Sequence, residues 1–159
     1  MSGAGTWIPA NHHARAAGLA DSPAEALTYL RATAPAGWPA REDALWQAFV
    51  DNAPHMLEFV ERATPLRFEL LSEPDPIAEK PGGKVRGRML SPLPLSRRIV
   101  GPYGPLIRRS TLPHLFTYRE LVEQDPYHAP VASALRLLPK LAWRWLTGSA
   151  GQGNALITG

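Results

Sequence analysis

Two places in this sequence carry side chains whose chemistry could exceed packing. The first is Lys80-Pro81-Gly82-Gly83-Lys84-Val85-Arg86-Gly87-Arg88, the start of a stretch to Arg109 with eight basic residues and no acidic one. Gly82, Gly83 and Gly87 leave backbone amides accessible and the cations add charge, which is the physics of an anion site. The bland alternative is a basic surface loop. The second place is His12-His13. Adjacent residues on a helix point about 100° apart, so the pair is not expected to share an ion, and no metal site is expected. With no cysteine anywhere, thiolate chemistry and disulfides are excluded.

The elements that must position these groups are short and bounded by proline and glycine, of which there are 17 and 13. Thr6-Trp7-Ile8 reads as extended, and Asn11 to Ala17 as one helical turn ended by Gly18. Asp21-Ser22-Pro23-Ala24-Glu25 is the clearest local signal. Ser22 is an N-cap, Pro23 sits at the first helical position and Glu25 completes a capping box. The helix should run to about Ala32 and bury Ala26, Leu27 and Leu30. A second helix starts near Arg41, with Leu45, Trp46, Phe49 and Val50 on one apolar face, continued by Met56, Leu57 and Val60. Pro54 should kink or restart it, with Asn52 or Ala53 capping the restart.

Leu66 to Leu70 alternates apolar and charged residues, as a half-buried strand does. Ser91 to Leu95 reads as extended, and Gly101 to Pro105 as a turn cluster. Short helical pieces are expected at Leu106–Arg109 and Thr111–Phe116, while Tyr118–Val122 is ambiguous. A last helix spans about Ala129 to Leu146. Its expected buried side is Val131, Leu135, Leu138, Leu141, Ala142 and Trp145, with a kink at Pro139. Arg136, Lys140 and Arg144 form a basic stripe beside Trp143. Gly148 to Leu156 is a Gly-rich loop entering another helix. The fold class expected is mainly α with one or two short strands (α+β).

Composition narrows the function classes. Residues 1–79 hold 5 Lys/Arg and 11 Asp/Glu, and residues 80–159 hold 12 and 3. Such asymmetry suits an anionic partner, two halves that face each other, or a parent protein that neutralises them. A nucleic-acid groove would interleave aromatics with the charge, yet only Tyr103 lies in the basic stretch, so no nucleic-acid partner is expected. The N-terminus lacks the charged start and apolar run of a signal peptide, and no apolar run approaches the ~20 residues of a membrane span. The expectation is a cytoplasmic protein.

Five motifs occur in a telling order: Ser-Gly-x-x-x-Trp-Ile-Pro-x-Asn at Ser2 to Asn11, Asp51-Asn52-Ala53-Pro54, Thr64-Pro65-Leu66-Arg67-Phe68, Pro81-Gly82-Gly83-Lys84 with Gly87-Arg88, and Gly153-Asn154-Ala155-Leu156. Together they resemble the interior of FAD-dependent dehydrogenases of the fumarate reductase/succinate dehydrogenase flavoprotein superfamily. The branch most resembled is that of the 3-ketosteroid Δ1-dehydrogenases.

The resemblance implies that residues 1–159 are a single partial domain, an incomplete part of a larger FAD-binding α/β flavoprotein fold. Family members open with a G-x-G-x-x-G turn that receives the FAD pyrophosphate, and this sequence has no such pattern. The N-terminal dinucleotide-binding βαβ unit and the later catalytic domain are the parts the resemblance implies are missing. Ser2, Gly3 and Ala4 match the family's flavin-side segment, with Ala4 in place of a usual glycine. A family catalytic-site tyrosine in Pro-Asp-Tyr corresponds to Pro76 of Pro74-Asp75-Pro76, and a proline ring donates neither proton nor hydrogen bond. The implied role is a fragment or subunit of an FAD-dependent oxidoreductase, inactive alone and without tight FAD binding. Its partner would be the rest of the flavoprotein or a separate FAD-binding subunit, and its substrate a small hydrophobic ketosteroid. The alternative is a stand-alone basic module for an anionic nucleic acid or membrane surface.

Overall fold

Where Ser22 was expected to start a helix, it does. Its side chain accepts the Glu25 N–H at 3.2 Å, Pro23 occupies the first turn, and the helix runs Pro23–Thr33 (α2). The computed structural model describes residues 4–107, 115–124, 128–152 and 155–156. Its elements in chain order are β1 (Thr6–Trp7), α1 (His12–Ala16), α2, α3 (Pro39–Ala63), β2 (Phe68–Leu70), β3 (Met89–Pro92), β4 (Leu95–Ser96), a 3₁₀ segment (Arg97–Leu106), α4 (Tyr118–Gln124), α5 (Pro130–Thr147) and β5 (Ser149–Ala150). The chain is mainly helical with short strands, as its sequence reads, and among the described residues the strands are five segments of two to four residues.

The backbone forms two compact units. One comprises Thr6–Ala63 and Leu70–Leu90, the other Met1–Gly5, Thr64–Glu69 and Ser91–Gly159. They are called here the helical unit and the C-terminal unit.

In the helical unit, Asn11 caps α1. Its Oδ1 accepts the Ala14 N–H at 2.8 Å, and its amide donates to the Ile8 and Gly87 carbonyls at 2.7 and 2.8 Å. Ala26, Leu27 and Val50 form a buried cluster, with Trp7, Leu30 and Trp46 packed around it. Tyr29 is also buried, a residue the helix-face reading passed over, while Leu30 is half-buried.

Two expectations for α3 need correction. Of the kink or restart expected at Pro54, the restart does not occur: α3 is one continuous helix with Pro54 inside. Proline forfeits a single i→i−4 bond, and the turns on either side hold the helix together. Asn52 does not cap a restart; its amide donates back to the Ala48 carbonyl at 2.7 Å. The buried stripe is Val50, Ala53, Pro54, Leu57 and Glu61. Leu45, Phe49 and Met56, expected in the core, are exposed.

β1 pairs antiparallel with β3, Thr6 opposite Leu90 and Trp7 opposite Met89, in a sheet of order β1-β3-β2.

In the C-terminal unit, β4 and β5 pair antiparallel, Leu95 opposite Ala150 and Ser96 opposite Ser149. The Gly101–Pro105 cluster lies in the 3₁₀ segment, which breaks at Gly101 (φ 53°, ψ −126°). Tyr118–Gln124, ambiguous in sequence, is helical. Thr117 Oγ1 accepts the Glu120 N–H at 3.2 Å and Glu120 Oε2 accepts the Thr117 N–H at 2.9 Å, a reciprocal capping box. Leu106 closes the 3₁₀ segment, whereas Arg108, Arg109 and Thr111 to His114 lie outside the described residues.

α5 starts at Pro130 and ends on Gly148 in the left-handed conformation (φ 70°), but it buries a different face from the one expected. Ser133 and Leu137 are buried, whereas Val131, Leu135, Leu138 and Trp145 are exposed. The helix follows Arg144, whose guanidinium forms a two-pronged pair with Glu120 at 2.6 and 2.8 Å and also donates to the Leu115 carbonyl. No helix among the described residues is long and apolar enough to cross a membrane.

Candidate functional site

The loop that carries Pro74-Asp75-Pro76 is fixed by Asp75, and Asp75 is fixed by residues from two other segments, β1 and the basic stretch. Its Oδ1 accepts the Trp7 indole N–H at 2.7 Å, and its Oδ2 accepts the Lys84 backbone N–H at 2.8 Å and Arg88 Nη1 at 2.9 Å. Its own N–H donates to the Lys84 carbonyl at 2.8 Å. Both partners of the Arg88–Asp75 pair are about 1% exposed. Arg88 reaches Asp21 as well, through Nε at 2.9 Å and Nη2 at 2.7 Å. The guanidinium lies 5.4 Å from the Trp7 ring centre and 5.8 Å from that of Tyr29.

A buried cation is tolerated only when its charge and its N–H groups are matched. Two carboxylates and two aromatic faces do that here. Burial alone would raise the Asp21 carboxyl. The Arg88 hydrogen bonds and charge, with the Ala10 N–H, outweigh it and hold Asp21 below the usual carboxylate range. Burial opposes the Arg88 charge in the same way, and the two aspartates more than restore it.

The glycines of the basic stretch serve the same anchoring. Gly82 (φ 78°) lies so near α2 that a Cβ there would sit 2.3 Å from the Glu25 carbonyl oxygen and 2.8 Å from the Tyr29 nitrogen. A Cβ on Gly83 would meet the Ala78 carbonyl oxygen at 2.4 Å. The Gly83 N–H donates to the Lys80 carbonyl, and Lys84 Nζ reaches Glu25 at 2.7 Å. The expected anion site therefore takes another form. Lys84, Arg88 and the Gly83 and Lys84 amides are engaged inside the helical unit. The basic stripe of α5 is likewise drawn on, since Arg144 pairs with Glu120 and Lys140 lies 3.8 Å from it.

Of the flavin-side residues, Ser2 and Gly3 lie outside the described residues. Ala4 is buried and has φ 62°, the left-handed region that favours glycine. Pro76 is exposed at the start of the turn after Asp75, and the Ile77 N–H that follows donates to the Tyr29 hydroxyl at 3.2 Å. Ala4 belongs to the C-terminal unit and Pro76 to the helical unit.

The two histidine rings converge on one carboxylate. Nε2 of His12 and of His13 lie 2.8 and 3.0 Å from the same Glu61 oxygen. Sequence reasoning also missed the roles of Asp21, Tyr29 and Glu61. Arg88 was visible only as part of a motif, and nothing local in sequence tells which carboxylates meet a buried arginine across 67 residues.

Comparison with known proteins places this geometry in a family. The model of the FAD binding domain matches residues 1–159. The 3-oxosteroid 1-dehydrogenase of Mycolicibacterium smegmatis is 30% identical over 98% of this chain and 29% of its own length. The 4-oxocyclohex-2-ene-1-carboxylate 5-dehydrogenase of Sinomonas cyclohexanicum is 35% identical over 99% of the chain and 28% of its own length. The crystal structure of 3-ketosteroid Δ1-dehydrogenase from Sterolibacterium denitrificans, in complex with 1,4-androstadiene-3,17-dione, superposes with a TM-score of 0.79 at 26% identity, covering 99% of this chain and 30% of that one. The chain thus spans less than a third of the length of the relatives it matches. It belongs to the FAD-binding domain family, as a segment homologous to the 3-ketosteroid Δ1-dehydrogenases and related flavoprotein oxidoreductases.

Proposed function

We propose that this chain forms the flavin-side segment and one wall of the substrate pocket of an FAD-dependent, 3-ketosteroid dehydrogenase-like oxidoreductase. The observation that carries the reading is the match of 99% of the chain to a steroid dehydrogenase solved with a steroid dione. FAD supplies the hydride acceptor in such an enzyme. This chain's contribution is positional. Ser2, Gly3 and Ala4 would run beside the flavin ring. The left-handed turn and buried methyl of Ala4 fit a segment that presents backbone rather than side chain to a flat group. The sequence has no G-x-G-x-x-G turn for the pyrophosphate. FAD would therefore be held by the remainder of the flavoprotein or by a separate subunit, and the isolated chain would be inactive.

Asp75 sets the pocket loop and Pro76 is what the loop presents. Without a hydroxyl at that position, the wall gives shape to the pocket but neither proton nor hydrogen bond. The substrate class supported by the relatives is a small hydrophobic ketone such as a ketosteroid. The exposed large apolar residues of α3 and α5, among them Leu45, Phe59, Trp143 and Trp145, also favour the reading, since contiguous apolar surface often meets other protein.

The test is a chimera in which this chain replaces the corresponding segment of the M. smegmatis 3-oxosteroid 1-dehydrogenase. Desaturation of a 3-oxosteroid should be weak with Pro76. It should rise by roughly 10²-fold or more in Pro76→Tyr, the usual contribution of a positioned proton donor. Full activity with Pro76, or no gain from Pro76→Tyr in a chimera that binds FAD and steroid, would contradict the assigned role of this position.

A further inference from the structure

We infer that His12, His13 and Glu61 form a binding site for a divalent first-row transition-metal ion, with zinc as the type ligand. The site lies within the helical unit and uses none of the residues assigned to the flavin or the substrate pocket. α1 supplies the two imidazoles and the last turn of α3 supplies the carboxylate. One potential ligand atom from each of the three residues lies within 4.8 Å of the others. His13 Nε2 is 3.0 Å from Glu61 Oε2 and 3.1 Å from Oε1, and His12 Nε2 is 2.8 Å from Oε2.

Three features favour an ion over a plain hydrogen-bonded cluster. The first is convergence: two neighbouring residues of one helix, whose side chains ordinarily diverge, turn both rings onto one oxygen, with ring centres 4.2 Å apart. Without a cation, a carboxylate oxygen can accept from such a ring nitrogen only where that nitrogen carries the proton. A dication needs no such proton and uses the two nitrogen lone pairs. The second is ligand type, since two imidazoles and a carboxylate are the donor set of open, three-ligand zinc sites. The third is access: the imidazoles are 32% and 26% exposed while Glu61 is 9% exposed, so the carboxylate is fixed and the fourth position faces solvent.

Tetrahedral zinc with bonds of about 2.1 Å separates its ligand atoms by about 3.4 Å. The site must therefore open by only a few tenths of an ångström from the 2.8 and 3.0 Å seen here. His12 Nδ1 is buried with no partner among the described residues. Lacking that supporting hydrogen bond, the site should bind about micromolar rather than as tightly as a structural zinc centre.

The test is calorimetric titration of Zn²⁺ into the untagged, chelator-treated chain near neutral pH, where imidazole ligates in its neutral form. The expected result is one Zn²⁺ per chain, with affinity reduced at least about tenfold in His13→Gln and in Glu61→Gln. His55→Gln, a change at an exposed position on α3, should leave affinity unchanged. Co²⁺ should give the visible absorption of a low-coordinate site in the parent chain and lose it in His12→Gln. The two histidine variants replace half-exposed rings, so they serve even where Glu61→Gln impairs folding. No saturable binding, or binding that survives both His12→Gln and His13→Gln, would overturn the inference.

Discussion

At the scale of single residues, Arg88 explains more of this chain than any candidate catalyst. It is a cation with both prongs committed to Asp21, one amine to Asp75, and aromatic rings at its faces. Removing one partner of such a pair typically costs 3–5 kcal/mol, about what a small domain can spare. The carboxylates make this stability acid-sensitive. Asp21 and Glu120 both titrate below their ordinary values. In each, burial alone would raise the pKa, and the arginine partner with nearby backbone N–H groups more than reverses it. For a depressed carboxylate, the unfolded chain takes up protons first as pH falls. The stabilisation is therefore complete above the ordinary pKa of about 4 and is lost as pH drops through the lower folded value. The urea midpoint should hold from pH 7 to about 5 and then fall steeply below about 4. In Asp21→Asn the midpoint at pH 7 should be lower and its fall between pH 5 and 3 shallower. An unchanged acid profile in that variant would remove Asp21 from the account.

At the scale of elements, the glycines of the basic stretch act as spacers. Gly82→Ala adds a methyl against the α2 backbone at a positive φ, so the backbone contact cannot be relieved by side-chain motion. The expected loss is roughly 2–3 kcal/mol in a denaturation experiment, with backbone amides of the 74–88 loop exchanging faster. Gly101→Ala, also at positive φ but with nothing within 4 Å, should cost only backbone strain, about 1–3 kcal/mol, with no added clash.

What could be read in advance at this scale was the local chemistry. Ser22, Pro23 and Glu25 announced α2, and Asn11 and Gly18 bounded α1, because caps act through neighbours in sequence. Thr117 and Glu120 carried the same kind of signal for α4, and it went unread. The buried faces of α3 and α5 were not legible. Both helices carry large apolar side chains around much of their circumference, so periodicity offers several faces and cannot say which one the fold covers. In α5 the outcome rested on a polar residue, Arg144, whose partner Glu120 lies 24 positions away. The site was legible as motifs but not as roles: Trp7, Asn11, Gly82, Lys84 and Arg88 proved to be the scaffold of a loop.

At the scale of the whole molecule, the chain is a segment homologous to about 30% of the length of longer flavoproteins. The relatives it matches are more than three times as long, yet nearly all of this chain aligns with them. Its motifs anchor the loop at Asp75 through Trp7, Lys84 and Arg88, and its sequence has no G-x-G-x-x-G pattern. The most direct measurement is the flavin content of two purified, folded proteins: the isolated chain, and the M. smegmatis enzyme carrying this chain in place of its own segment. The account predicts one FAD per polypeptide in the chimera and none retained by the isolated chain. A folded chimera without flavin, or an isolated chain that purifies with stoichiometric FAD, would contradict it.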